Sequence, residues 1–327
     1  MSSILILGAG LAGLAAAREL TRLGHTIRLL DKGRRVGGRL ATRRLGNGLA
    51  DHGAQYFSAQ SPDFKALTNQ MLAVGVVQEW HLEQSDPASF RHPRYVGTAG
   101  MNGIARFLAE GLAVDTGQRA VHLAPTPTGW QVTTETRNTY LADALLLTLP
   151  APQALALCHQ SGLGLRAEDE AALKKIEYQP CLAVLLLLSQ PTRLPAPGGL
   201  KFAPERAVAW LADNQQKGIS PGGATLTLHA SHTYSHAHLD TADLPTLIPE
   251  LLAGASAYVA PQTVIEQHIH RWRYSNATVR HQEPYLAAAG FAGPLLFGGD
   301  GFGMGNIEGA FTSGLAMARC FGPAQTS

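Results

Sequence analysis

Apolar residues along this chain fall into two patterns, short continuous runs and helical stripes. Positions 4–7 (Ile-Leu-Ile-Leu) are a continuous run that enters Gly8-Ala9-Gly10-Leu11-Ala12-Gly13. Positions 14–23 then carry helical spacing and stop at Gly24. The pattern predicts a buried strand, a tight turn and a helix closed by glycine. A second strand is predicted over 26–30, ending in Asp31. Helices are predicted near 62–75 and over 101–110, 151–159 and 244–258. Strands are predicted over 118–123, 130–135, 139–141, 144–149, 182–188, 207–212, 224–229 and 264–272. The 144–149 run stops at Pro150, and the Pro/Gly segment 191–199 is a loop. Near the end, 294–297 read as a buried strand leading into Gly298-Gly299-Asp300. A helix with small residues Gly309, Ala310 and Ser313 on one face then starts near Asn306.

The first turn carries chemistry. Gly8, Gly10 and Gly13 form G-x-G-x-x-G between a strand and a helix, with the acid Asp31 18 residues after the last glycine. Gly8 permits the turn, Gly10 lets a pyrophosphate approach the backbone, and Gly13 lets helix and strand pack closely. The helix start, with Ala12 on it, offers N–H groups and a positive dipole end. Asp31 is placed to accept from ribose hydroxyls and argues against a 2′-phosphate there, so the dinucleotide is FAD or NAD.

The next segment, Asp31-Lys32-Gly33-Arg34-Arg35-Val36-Gly37-Gly38-Arg39, adds a second glycine pair and a guanidinium. This resembles the glutathione-reductase-type FAD proteins, in particular their amine oxidase branch. The segment 294–314 resembles that branch's last FAD motif. The resemblance implies an α/β fold. A Rossmann-type FAD-binding domain (1–51, 97–150, 285–327) would carry a discontinuous α+β substrate domain (52–96, 151–284). An antiparallel sheet of the latter would roof the isoalloxazine ring. It implies cofactor contacts at Gly8, Gly10, Ala12, Gly13, Asp31, Lys32, Arg39 (pyrophosphate), Gln55, Tyr56, Val121 (adenine end), Asp300 (ribitol or phosphate) and the backbone of Ile307. The helix dipole behind Ile307 would stabilise negative charge on reduced flavin.

Three further segments narrow the resemblance: Asp51-His-Gly-Ala-Gln-Tyr-Phe57, Val96-Gly97-Thr98 with Gly100-Met101-Asn102, and Arg271-Trp272-Arg273-Tyr274. Together they resemble the bacterial renalases over essentially the whole chain. That family implies oxidation of misreduced nicotinamides, the 2- or 6-dihydro isomers of NAD(P), with electrons passing through FAD to O2 as H2O2. Candidate substrate contacts are Tyr56, Phe57, Val96, Gly97, Trp210, His229, Trp272 and Tyr274. No protein catalytic residue is expected, because the flavin carries the chemistry. Many amine oxidases place a lysine on the strand read here as 181–188, and none stands there. Where some members carry a covalent cysteine, this chain has Ser275 and Asn276, so noncovalent FAD is expected.

Composition trims the alternatives. Charged residues make up 15% of 327 and the formal charge is +2, below the roughly 25% charged content of an average soluble protein. No basic block marks a nucleic-acid partner, and no apolar run reaches the roughly 18 residues of a membrane span. Three cysteines without Cys-x-x-Cys, and no export leader, point to a reducing, cytoplasmic setting. His229, His232, His236 and His238 crowd one stretch. Their spacing fits no zinc pattern, so they are read as a strand end and following loop without metal. Arg271 and Arg273 flank Trp272; exposure to solvent is the default reading, and a contact of one of them with a substrate phosphate is the alternative. Two other readings remain: a small-amine oxidase or desaturase on the same fold, and a non-catalytic protein like the GDP dissociation inhibitors. The paired FAD motifs favour the enzyme.

Overall fold

The computed structural model describes residues 1–82 and 92–324. The 83–91 part of the expected substrate segment lies outside the described residues. The apolar runs become the inner strands of a six-stranded sheet. Its order is Tyr285–Ala288, Leu295–Gly298, Ala144–Leu147, Ser3–Leu7, Thr26–Asp31 and Val114–Thr116. All neighbours are parallel except the first pair. Ile4 to Leu7 and Ala144 to Leu147 are buried throughout, as continuous apolar runs in a parallel sheet must be. The helix Leu11–Arg22 packs against the helix Asn306–Arg319. There a Cβ on Gly314 would run into the carbonyl oxygen of Ala12. A three-stranded meander (Ala120–Pro125, Trp130–Thr134, Thr139–Ala142) completes this part.

The chain divides into two compact units. The first is Met1–Gly38, Ala105–Glu177 and Asn276–Ser327; the second is Arg39–Ile104 and Tyr178–Ser275. These boundaries depart from the expected ones at all four crossings. Residues 39–51 and 97–104 go with the second unit, where the Asp51 carboxylate binds Thr42 and the Met101 N–H. Residues 151–177 go with the first. There the helix Ala151–Gln160 ends at Ser161, whose hydroxyl accepts the Leu123 N–H of the meander (2.9 Å). Residues 276–284 also belong to the first unit.

A five-stranded sheet, in the second unit apart from Glu177 and residues 276–279, runs in the order Gly199–Lys201, Val208–Asp213, Ala224–Ala230, Glu177–Leu188 and Val264–Val279. Strand Ala224–Ala230 shows why. Leu226 and Leu228 enter an apolar cluster with Val184, Leu186, Leu211 and Leu251. Thr225, Thr227 and His229 occupy the opposite face, as period-two alternation requires. A hairpin, Thr42–Leu45 with Gly48–Asp51, turns through Gly46 at φ +49°.

Three elements differ from the expected pattern. The 231–238 segment is not a loop: His232–Ala237 is a short helix, its Ser231 hydroxyl accepting the Tyr234 N–H (3.2 Å). The expected helix over 244–258 is a 3-10 turn Leu244–Leu247 followed by Ile248–Ala253. Pro245 and Pro249 remove backbone donors, which shortens the helix. The last long strand continues from the expected end at 272 to Val279.

Candidate functional site: a glycine cradle and a polar–aromatic cluster

The first unit assembles its glycines at one edge of the parallel sheet. Strands Ser3–Leu7, Ala144–Leu147 and Leu295–Gly298 are neighbours. Their carboxyl ends, at Gly8, Thr148 and Gly299, therefore lie side by side, where doubly wound sheets bind ligands. Thr148 is the joint. Its hydroxyl donates to the carbonyls of Leu7 (2.9 Å) and Gly8 (3.0 Å). Gly8 has φ +109° and Gly299 φ +129°. A Cβ on Gly13 would run into the Gly8 carbonyl oxygen, whereas one on Gly10 would meet nothing within 4 Å. Gly13 thus serves packing, and Gly10 lines open space. Gly37 bridges to Gly10, and its N–H reaches the Ala9 carbonyl at 2.8 Å, so the second glycine pair joins the first.

Asp31 holds this turn. One carboxylate oxygen accepts the Ala9 N–H and the other the Gly33 N–H, both at 2.7 Å. Each oxygen keeps a lone pair, so ribose hydroxyls can still be received. No side chain caps the helix at Gly10, and its first satisfied N–H is that of Leu14. The preceding N–H groups and the dipole end are available to an anion. Asn306 sits at φ +56°, and its side-chain oxygen accepts the N–H groups of Glu308 (2.9 Å) and Gly309 (3.2 Å). That arrangement passes over Ile307, the expected backbone contact. The ladder between Ala120–Pro125 and Trp130–Thr134 slips at Val121, taking that residue out of strand pairing. Lys32 is exposed and reaches Gln153 (3.3 Å). Asp300 is buried. These donors, lone pairs and open glycines fit a dinucleotide with a pyrophosphate.

Arg39, Gln55 and Tyr56, also expected at the cofactor, belong to the second unit. The Arg39 guanidinium donates to the carbonyls of Tyr274 (3.1 Å) and Ser275 (3.3 Å). In this unit the sheet face carrying Thr225, Thr227 and His229 grips the segment 49–52 by its carbonyls. Thr225 donates to Leu49 (2.5 Å) and Thr227 to Asp51 (2.8 Å), while His229 Nε2 lies 3.3 Å from the His52 carbonyl. Trp272 Nε1 donates to the same His52 carbonyl at 2.7 Å. The His52 ring stacks on Trp272, and His270 meets both rings edge-on.

Burial, foremost, holds these imidazoles neutral. His52 is pushed down to about 3, with His270 and His229 adding repulsion. His229 falls to about 4, its bond to His52 opposing the shift, and His270 is also lowered by burial. Tyr56, Trp80 and Trp210 form an aromatic trio with centroids 5.9–6.1 Å apart. Tyr274 meets Tyr178 edge-on. Phe57, Val96 and Gly97, also expected at the substrate, are packed inside this unit. Phe57 packs against Phe64 and Tyr95, Val96 is fully buried, and a Cβ on Gly97 would run into the Gly100 carbonyl. Val96 shares a buried cluster with Trp80, against which Tyr56 and Trp210 pack. Arg271 donates to the Thr241 carbonyl and Arg273 to Asp240, so both guanidinia hold the following loop.

Thr148 and Lys217 carry no sequence signal of their own. The Lys217 ammonium is wholly buried, 2.7 Å from the equally buried Asp51 carboxylate and 5.3 Å from the centre of the Trp80 ring. Burial depresses its pKa, and Asp51 opposes the shift. Neither residue lies in a recognisable motif. Among the described residues, no helix is long and apolar enough to cross a membrane.

Comparison with known proteins agrees with the geometry. Residues 6–71 match the NAD(P)-binding Rossmann-like domain, and residues 77–320 match the flavin containing amine oxidoreductase. The chain is 24% identical to renalase of Mus musculus, over 98% of both proteins. It is 41% identical over 68 residues to a putative flavin-containing monoamine oxidase, AofH, of Mycobacterium tuberculosis, covering 21% of this chain and 15% of that one. Putrescine oxidase with bound putrescine shares the fold at a TM-score of 0.70 and 15% identity, covering 98% of each chain. Reduced UDP-galactopyranose mutase does so at 0.71 and 14%, covering 100% of this chain and 97% of that one. The chain therefore belongs to the flavin-containing amine oxidoreductases, an oxidoreductase family whose cofactor is FAD.

Proposed function

We propose that this protein oxidises dihydro-NAD(P) isomers bearing the extra hydrogen at ring position 2 or 6, with O2 as terminal acceptor. One dihydro isomer, one O2 and one proton give NAD(P)+ and H2O2. The observation that carries this reading is the chemistry around His52. The imidazoles there are held neutral, and the buried Lys217 ammonium is committed to Asp51. A dihydropyridine that loses hydride becomes an aromatic cation, so no protein base is required. The likeness to mouse renalase along the whole of both chains supports the same reading.

FAD, when bound, supplies the two-electron acceptor chemistry. The chain's own residues bind, orient and exclude water. Tyr56, Trp210, Trp272 and Tyr274 provide ring surfaces, and His229 fixes the His52 segment through its carbonyl. The glycine cradle, Asp31, Asp300, Val121 and Ile307 hold the cofactor, with Arg39 and Lys32 contributing positive charge. The FAD is noncovalent in this reading. The Cys158 and Cys181 thiols are buried and pushed up to about 12, which keeps them poor nucleophiles. Three unpaired thiols also suit a cytoplasmic site of action.

The test is anaerobic mixing of FAD-loaded protein with the 2- and 6-dihydro isomers of NAD and NADP, ordinary NADH, and a panel of amines. Rapid bleaching of the flavin band by the isomers is expected. Bleaching by an amine alone would make the protein an amine oxidase. A protein that takes up no FAD would leave only a binding role.

A further inference from the structure

Among the buried side-chain polar atoms of the second unit that have no partner among the described residues, three gather in one place: His52 Nδ1, Gln55 Oε1 and Trp210 Nε1. Leaving such atoms unpaired is costly, and each asks for a ligand group. All three belong to residues around His229. Gln55 Nε2 lies 3.4 Å from His229 Nε2, the His52 carbonyl lies 3.3 Å from the same nitrogen, and Trp210 stands opposite His229 in the strand ladder. Cross-strand partners project from the same face of a sheet.

The polarity of two of these atoms is settled. Gln55 Nε2 donates to the carbonyls of Asp51 (2.7 Å) and Gly53 (3.1 Å), which only accept. The unpaired end of that amide is therefore the oxygen, an acceptor. Trp210 Nε1 can only donate. Both groups are uncharged, and the charge of the nearby Asp51 carboxylate is balanced by Lys217, with Thr42 and the Met101 N–H also donating to it. One neutral acceptor and one neutral donor complement a primary carboxamide, which offers an N–H and a carbonyl oxygen.

Building on the dihydropyridine reading, we propose that Gln55 Oε1 and Trp210 Nε1 form the subsite for the substrate's ring carboxamide. Gln55 accepts its N–H, and Trp210 donates to its oxygen. The subsite selects nicotinamides over ring ketones that keep the carbonyl but lose the N–H.

The experiment compares NAD+ with its 3-acetylpyridine analogue, as oxidised ligands and as dihydro isomers. Dissociation constants of the oxidised ligands are read from perturbation of the flavin spectrum, and the dihydro forms from anaerobic bleaching. Wild-type protein is expected to bind the acetyl analogue about tenfold or more weakly, the scale of one lost hydrogen bond to a buried acceptor. Gln55→Met should bring that ratio close to one. Trp210→Phe should weaken both ligands about equally and keep the ratio. Flavin content of each variant reports folding. If Gln55→Met loses its FAD, the wild-type ratio and Trp210→Phe decide. Equal wild-type affinities, or a ratio that survives Gln55→Met, overturn the subsite. Absence of bleaching by every dihydro isomer overturns the proposed reaction instead, while the oxidised-ligand ratio still tests the subsite.

Discussion

Replacing Lys217 by methionine isolates the role of the buried ion pair. The side chain keeps its length and loses its charge. Asp51 is then left as an unpaired carboxylate with no solvent access. Among the described residues, the Thr42 hydroxyl (2.5 Å) and the Met101 N–H (2.9 Å) still donate to it. Breaking one side of a buried pair costs about 3–5 kcal/mol, whereas replacing both charges by neutral groups is often close to neutral. Lys217→Met should therefore destabilise the second unit by about that amount. The double change Lys217→Met with Asp51→Asn should recover more than half of it, a coupling of roughly 1–3 kcal/mol. Urea denaturation of the FAD-loaded protein, followed by tryptophan fluorescence, measures all three variants. The wild type should also gain stability as pH rises toward 10.5. The folded Lys217 pKa lies below that of the unfolded chain, which binds more protons in between. Lys217→Met should lose that slope. Additivity within about 0.5 kcal/mol would refute the idea that the two charges act as a unit.

Acid should weaken the protein through His229. Its folded value of about 4 lies below the unfolded 6.5, so its stabilisation is complete above 6.5 and is lost as pH falls from 6.5 toward 4. The loss is at most about 3 kcal/mol, and a urea midpoint unchanged between pH 7.5 and 5 would exclude it. Gly13→Ala drives a methyl into the Gly8 carbonyl; it should cost about 1–3 kcal/mol of stability, measured by thermal unfolding, together with most of the bound FAD. Asp31→Asn replaces one acceptor of the Ala9 and Gly33 N–H groups by a donor. FAD dissociation measured by ultrafiltration should rise about tenfold, the weight of one lost hydrogen bond. Asp300→Ala should also release FAD, and unchanged flavin content would show that the carboxyl-terminal motif has no part in binding.

The glycine cradle was legible in the sequence because its demands fall on the backbone. Gly8 needs a positive φ and Gly13 needs the absence of a Cβ, and both leave a fixed signature in one short segment. Asp31 was legible for a related reason, since the strand carrying it follows directly from the first helix. The second unit was harder. Asp51 and Lys217 are 166 positions apart, and only the fold reveals them as partners. The 231–238 histidines looked like a loop because six residues are too few to show helical periodicity. Phe57 and Val96 show where sequence stops discriminating: an aromatic or apolar residue beside a motif looks the same whether it faces a ligand or the core.

The grip of Thr225, Thr227 and His229 on the segment 49–52 has an evolutionary side. All three reach main-chain carbonyls, which every amino acid supplies. Leu49 and His52 can therefore change identity without loosening the segment. Position 52 is an adjustable tooth on a fixed mount: its backbone stays gripped whatever side chain it carries.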